Sequence, residues 1–380
     1  MKQNCIAIKN FYISTLWDKY LIPLIIISSP FLLFTIKIFG VHVYPLYLLV
    51  FPAFLQLTPK VLSGIKMNFK KDKRLIAYLL LLLFTLLLVS IKPFLIKNVI
   101  KQLLILLLIF YLYNYEKKNY GKLIKLLNIS IIILTIYGLF QYICLLIDKR
   151  DFAIFLHSSF ESFGYTSAAI RMGIPRVSSL VYEPSHLSFI VGVYFFITNN
   201  KFIRILCILC LIMSVSYTTL YAFSAYLLYI IFKKLKLNFF IVGYTTLIIH
   251  IFIAIYFVNE IPSEYQHTFI HRYIGIIKLI SNNNIFEYLF GSFTVNSNFP
   301  NYILNTPSNV SSVFFLLGII GYSLYLYIYH CIEETSKLSQ ATAIMFFYGI
   351  CAYYLMTWPI YIIFLTLVVF YSTKNSDLSV

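Results

Sequence analysis

Hydrophobic and polar positions alternate coarsely along the chain, with apolar runs of helix length separated by short polar segments rich in lysine. The runs are approximately Tyr20 to Phe39, His42 to Leu57, Leu75 to Ile91, Val99 to Tyr115, Leu123 to Ile147, Val177 to Thr198, Phe202 to Ser216, Thr218 to Phe232, Leu237 to Val258, Ser311 to His330, Ala341 to Met356 and Pro359 to Tyr371. A helix needs about 20 residues to cross roughly 30 Å of hydrocarbon, so the pattern predicts about twelve spans. The last two runs form one apolar stretch divided at Trp358-Pro359, and without that division the count is about eleven. The first run is not a cleavable signal peptide, because it holds Pro23 and Pro30 and no small-residue cleavage site follows. The expected fold is therefore all-α, a polytopic integral membrane protein. No repeat, Gly/Ser linker or low-complexity tail divides it, so residues 1–380 read as a single membrane domain.

The loops between the runs set the orientation. Lys2, Lys9 and Lys19, the Lys60 to Arg74 segment, Lys117 to Lys125, Lys201 and Arg204, Lys233 to Lys236, Lys337 and Lys374 fall on one side if every run crosses once. Lysine and arginine accumulate on the cytoplasmic side, which places both termini in the cytoplasm. The opposite side receives two long polar segments, Asp148 to Arg176 and Asn259 to Val310. Loops that long beside short connections are unusual and mark candidate functional regions.

Composition agrees with this reading. The chain is 61% hydrophobic and 11% charged, far from the roughly 25% charged residues of a soluble globule. The formal net charge of +17 lies in short segments between apolar runs instead of forming one soluble patch, which argues against nucleic acid as a partner. The excess of Ile, Phe, Tyr, Lys and Asn also matches what A+T-rich codons produce, so aromatic content alone does not indicate sugar binding. Nearly all of the six cysteines, Cys5, Cys144, Cys207, Cys210, Cys331 and Cys351, fall within or at the inner edge of apolar runs, and no disulfide framework follows. Cys207 and Cys210 have redox-motif spacing without a thioredoxin-like context, and packing accounts for them.

Candidate chemistry gathers in and after the first outer loop. From Ser185 to Thr198 only a short run remains before the inner-side Asn199-Asn200-Lys201, too little to cross unaided. Either the span starts near Val177 or the loop dips into the bilayer, and both place Glu183 below the interface. Pro184 disfavours helical geometry at Glu183 and suits the first position of a helix, so Glu183 is expected to cap a half-helix with its carboxylate at the positive end. Ionisable groups at membrane depth tend to serve function, which singles out Glu183 and Arg176 as a catalytic carboxylate and its partner or as an interfacial ion pair. His186 is a proton shuttle or a packing residue at the helix start, and Arg171 adds a second cation or a solvated surface charge.

In the second outer loop, Phe269, Ile270, Tyr273, Ile274, Ile277 and Ile280 recur at helical spacing, with Glu264, His267, His271 and Lys278 on another face. This predicts an amphipathic helix from Glu264 to Ile280 on the outer membrane surface. Arg272 at the border of the two faces is placed to meet a lipid phosphate or a bound pyrophosphate, or to snorkel to headgroups. His267 and His271 have a zinc-compatible spacing but no third ligand or His-Glu-x-x-His pattern, so no metal is expected. The following stretch, with Tyr288, Phe290, Phe293, Asn296, Asn298, Phe299, Asn301 and Tyr302, suits sugar hydroxyls and ring faces as well as it suits loop packing. Gly318 and Gly321 in the tenth run predict close helix packing.

Two segments resemble a known family. Arg176 followed by small residues and then Glu183-Pro184-Ser185-His186 opening an apolar helix resembles the corresponding segment of the bacterial O-antigen and capsule polymerases, the Wzy-type glycosyltransferases related to the O-antigen ligases. His271-Arg272, then Gly291, then Pro307-Ser308-Asn309-Val310-Ser311-Ser312 leading to Leu317-Gly318-Ile319-Ile320-Gly321, resembles the second large periplasmic loop of that family and the helix after it. The resemblance implies an enzyme at the outer face of the bacterial inner membrane, working without a cofactor. Its donor would be an undecaprenyl-diphosphate-linked glycan, transferred to the terminal sugar hydroxyl of another lipid-linked repeat unit. On that reading Glu183 and His186 are catalytic and Arg171, Arg176, His271 and Arg272 bind substrate. Membrane lipids and a chain-length regulator protein are the expected partners. An O-antigen ligase, whose acceptor is the lipid A-core, is the alternative within the class. A polysaccharide flippase or other transporter also has about twelve spans, but it favours charges inside several spans and short outer loops.

Overall fold

The computed structural model describes residues 17–33, 35–38, 41–55, 73–159, 170–171, 174–181, 183–260, 273, 275–282, 284–293, 309–351 and 359–371. Helices dominate. In chain order they include α1 (Ile22–Ser28), α2 (Lys73–Val89), α3 (Ile96–Lys118), α4 (Lys122–Leu146), α5 (Arg150–Ser159), α6 (Pro184–Ile197), α7 (Lys201–Ser214), α8 (Tyr217–Lys234), α9 (Phe239–Glu260), α10 (Ile285–Phe290), α11 (Asn309–Thr335), α12 (Ser339–Cys351) and α13 (Pro359–Phe370). Two short antiparallel pairs join them, β1 (Ile36–Ile38) with β2 (Val41–Val43) and β3 (Ile170–Arg171) with β4 (Ile174–Pro175).

Four stretches among the described residues are long and apolar enough to cross a membrane: Pro93–Lys118, Lys122–Leu146, Phe239–Tyr256 and Ser311–Thr335. Their outward faces are apolar. Ile136 in α4 and Phe252 in α9 are 63% and 68% exposed, as side chains that meet lipid instead of water are. The protein is thus an all-helical bundle of membrane type, apart from the two short strand pairs.

The helix expected over Tyr20 to Phe39 is corrected by the structure. The α-helix α1 stops at Ser28, where the hydroxyls of Ser28 and Ser29 both turn back to the Ile25 carbonyl at 3.0 and 2.7 Å. Such side-chain bonds compete with the backbone ladder, and Pro30 supplies no N–H to continue it. The chain then forms the β1–β2 pair, with Ile36 opposite Val43. The described part of the last run, α13, is helical from Pro359 to Phe370; Trp358, on the other side of the expected division, lies outside the described residues.

The described chain forms two compact units, Met1–Val61 with Leu107–Ser216 and Leu62–Leu106 with Tyr217–Val380; the division falls within α3. In the first unit α4 packs against α1, α5 and α7, and α6 pairs with α7. The turn into α4 is closed by Glu116, a fully buried carboxylate that accepts the Gly121 and Leu123 N–H groups at 2.8 and 2.9 Å. A carboxylate at a helix start satisfies donors that have no partner within the helix. In the second unit α11 packs against α2, α9, α10 and α12, and α8 against α12. Its interior is aromatic: the Tyr325, Tyr329 and Phe346 rings lie mutually within 6.2 Å, all three pairs tilted, at centroid separations in the range of favourable ring contacts.

Candidate functional site

The sharpest feature of the first unit is what stands where a full span was needed. Helices α6 and α7 have 14 residues each, about 21 Å at 1.5 Å per residue and short of the roughly 30 Å of hydrocarbon. The missing length before α6 is filled by residues 176–181 as non-helical chain. All six are buried, Val177, Ser178, Ser179 and Val181 completely. The helix therefore does not start near Val177: these residues run as buried, non-helical chain.

Backbone groups at membrane depth need partners within the protein. The Val177 N–H donates to Met213 O at 3.0 Å, at the end of α7, and the Leu33 N–H donates to Leu180 O at 3.3 Å. Ser179 takes a left-handed conformation, φ 56°, and is held twice by α4. Its N–H donates to Gln141 Oε1 at 2.6 Å, and its hydroxyl donates to Leu134 O at 2.6 Å. Leu134 is the midpoint of α4, about 18 Å along the axis from either end, so the segment lies against the middle of that helix. Gln141, itself fully buried, also donates from Nε2 to Ala153 O at 2.9 Å and so ties α5 to the same place.

The segment ends at Glu183. Its backbone is extended, φ −146° and ψ 155°, and Pro184 is the first helical residue of α6, as the sequence predicts. The carboxylate does not accept a first-turn N–H; it accepts the Ser185 hydroxyl at 3.2 Å instead. The capping role is therefore carried by the backbone carbonyl, which receives His186 N–H at 3.0 Å and Leu187 N–H at 3.2 Å. Glu183 is half-buried, while Ser185 and His186 are 7% and 6% exposed. The imidazole lies within reach of the Glu183 charge. Arg176 is 8% exposed at the other end of the segment, between the β3–β4 pair and Val177.

Glu183, Ser185 and His186 are thus brought together at one helix start, and Arg176 opens the segment that leads to it. Arg171 is placed by its backbone alone, opposite Ile174 in the β3–β4 pair. His271 and Arg272 lie outside the described residues, as does most of the expected helix from Glu264 to Ile280. Its last part is helical over residues 275–281, with Ile276 and Leu279 fully buried and Ile277 and Ile280 half-buried. The face toward the protein is therefore that of Ile276 and Leu279 and not the Ile277/Ile280 stripe. Three of the aromatics weighed for sugar stacking serve packing: the Tyr288 hydroxyl donates to Ile280 O, Phe290 stacks on Phe84, and Phe293 lies under Lys92. Among the described residues, no three His, Cys, Asp or Glu side chains gather as a metal set.

No family model, no curated protein and no solved structure matches the chain. Function must therefore be argued from this geometry. Two buried polar residues, one in each unit, escaped the sequence reading. Gln141 had a signal, as a lone amide inside an apolar run, and Lys92 had another, as a lysine on the side that the loop asymmetry assigns to the outside.

Proposed function

We propose that this protein is a membrane glycosyltransferase of the surface-polysaccharide polymerase type, extending a lipid-linked glycan at the outer face of the bacterial inner membrane. The finer topology belongs to the same reading: about eleven or twelve apolar runs threaded through the membrane, both termini cytoplasmic, and Asp148 to Arg176 and Asn259 to Val310 outside. The observation that carries it is the buried non-helical segment from Arg176 to Val181, leading into the half-buried Glu183 and buried His186. Irregular backbone and ionisable groups at membrane depth are costly and are kept where a site needs them.

In the proposed reaction the acceptor sugar hydroxyl attacks the anomeric carbon of a lipid-diphosphate-linked glycan. The new glycosidic C–O bond forms as the bond from that carbon to the diphosphate oxygen breaks. Glu183 takes the hydroxyl proton, with His186 as its neighbour, and undecaprenyl diphosphate leaves with the bonding electron pair. Arg176, supported by Arg171, complements the charge growing on the diphosphate, because a guanidinium fork matches phosphate oxygens without a metal. A repeat unit as acceptor makes the product a polymer. The test is chain growth: purified protein given lipid-linked repeat units alone should produce a ladder of longer glycans. Transfer only to a lipid A-core acceptor would assign it to the ligases, and no transfer at all would leave a transporter.

A further inference from the structure

In the second unit, far along the chain from Glu183, one lysine is enclosed by backbone oxygens. Lys92 lies in the connection between α2 and α3 and is fully buried. Its ammonium donates to Phe290 O at 2.6 Å, Gly291 O at 2.7 Å and Leu316 O at 3.3 Å. The Phe293 ring closes another side, its centroid 4.7 Å from Nζ. An ammonium has three donors, and here each has its own carbonyl.

The carbonyls converge because two helices end at the same point. Gly318, φ 66° and ψ −164°, breaks α11, so carbonyls just before it lose their partners one turn on. Phe315 O is taken by Ser292 N–H at 2.8 Å, and Leu316 O turns to Lys92. The α10 helix ends at Gly291, φ 84°, whose backbone crosses that of Gly318 so closely that a Cβ on either would overlap the other strand. The nearest carboxylate, Glu287, is engaged elsewhere, accepting from Asn282 Nδ2 at 2.7 Å and Phe293 N–H at 3.3 Å.

We propose that the Phe290, Gly291 and Leu316 carbonyls form a monovalent-cation cage, in which the Lys92 ammonium is a tethered resident and whose place potassium takes when the ammonium is removed. Oxygen dipoles without a coordinating carboxylate suit a large, weakly hydrated monovalent ion, as carbonyl rings do in channels, and not calcium or magnesium, which draw on carboxylates. Potassium is the abundant cellular alkali ion that is close in size to an ammonium group. The tether makes the protein itself independent of the ion and locks the break in α11 to the connection between α2 and α3.

The test is thermal unfolding of detergent-purified protein in potassium chloride against choline chloride at equal ionic strength. Wild type should melt at the same temperature in both. Lys92→Ala should melt lower in choline and recover by about 2–4 °C in potassium, with a saturating dose dependence. Lys92→Met fills the cage with apolar atoms and should stay low in both salts. Should Lys92→Ala fail to fold, Lys92→Gln keeps amide donors for the carbonyls and should show a smaller potassium effect of the same sign. Absence of potassium rescue in whichever of these two variants folds, or an equal potassium effect in wild type, overturns the proposal.

Discussion

The buried side-chain amide of Gln141 in α4 accepts the backbone N–H of Ser179 at 2.6 Å and so holds non-helical chain inside a helical bundle. Gln141→Leu keeps the side chain's bulk but strands the Ser179 N–H away from water and removes the tie to the Ala153 carbonyl. An unsatisfied buried group costs about 1–3 kcal/mol, so the variant should unfold at lower temperature in detergent and lose activity with it. Unchanged stability would mean that Val177, Leu180 and the Ser179 hydroxyl suffice to hold the segment.

Glu183 and Arg176 separate chemistry from architecture. Glu183→Gln retains shape and most hydrogen bonding but removes basicity, so it should give abundant, folded protein with polymer formation reduced by about 100-fold or more. Arg176→Lys keeps the charge and loses the fork, and should likewise lose most polymer at equal expression. Near-normal chain length in both variants would leave these residues as anchors of the loop.

Two left-handed glycines should respond differently to the same change. Gly121, φ 74°, has open space where a Cβ would point, so Gly121→Ala should cost only the conformational penalty of about 1–2 kcal/mol. At Gly318 the added methyl also collides with the Leu289 and Gly291 backbone, which cannot move without opening the Lys92 cage. Gly318→Ala should therefore destabilise clearly more than Gly121→Ala; equal losses in unfolding measurements would argue against the backbone crossing.

Lys92 also implies a pH dependence. Burial pulls its ammonium down to about 8 from 10.5, with the Glu287 charge opposing the drop. Because the folded value lies below the unfolded one, the folded chain binds fewer protons between the two, and stability gained above pH 10.5 is lost as pH falls through 8. Wild type should gain melting temperature relative to Lys92→Met as pH climbs from 8 to 10.5. A flat difference across that window would show that Lys92 does not titrate in the cage.

The proposed topology is checked by labelling. Single cysteines replacing Ser158 and Ser297 should react with an impermeant thiol reagent in intact spheroplasts, above the background of the native cysteines. Labelling of both only after lysis would move the two long segments to the cytoplasm and remove the lipid-diphosphate donor from the argument.

The helical, membrane-type architecture was legible in the sequence, because apolar runs of span length and sparse charge admit few other folds. So was the helix start at Pro184, since proline constrains its own residue and the one before it. Local chemistry of that kind acts within a few residues and is written in their order. What joins Ser179 to Gln141, or Lys92 to the carbonyls of Phe290, Gly291 and Leu316, spans 38, 198, 199 and 224 positions, respectively. No local pattern encodes those pairings. They follow from the need of each buried polar group for a partner, and only the packed helices decide which partner is within reach. The same holds for the break in α11: the sequence marks Gly318 as a residue that tolerates close approach, but the crossing with Gly291 that makes the break necessary exists only once α10 is seated against α11.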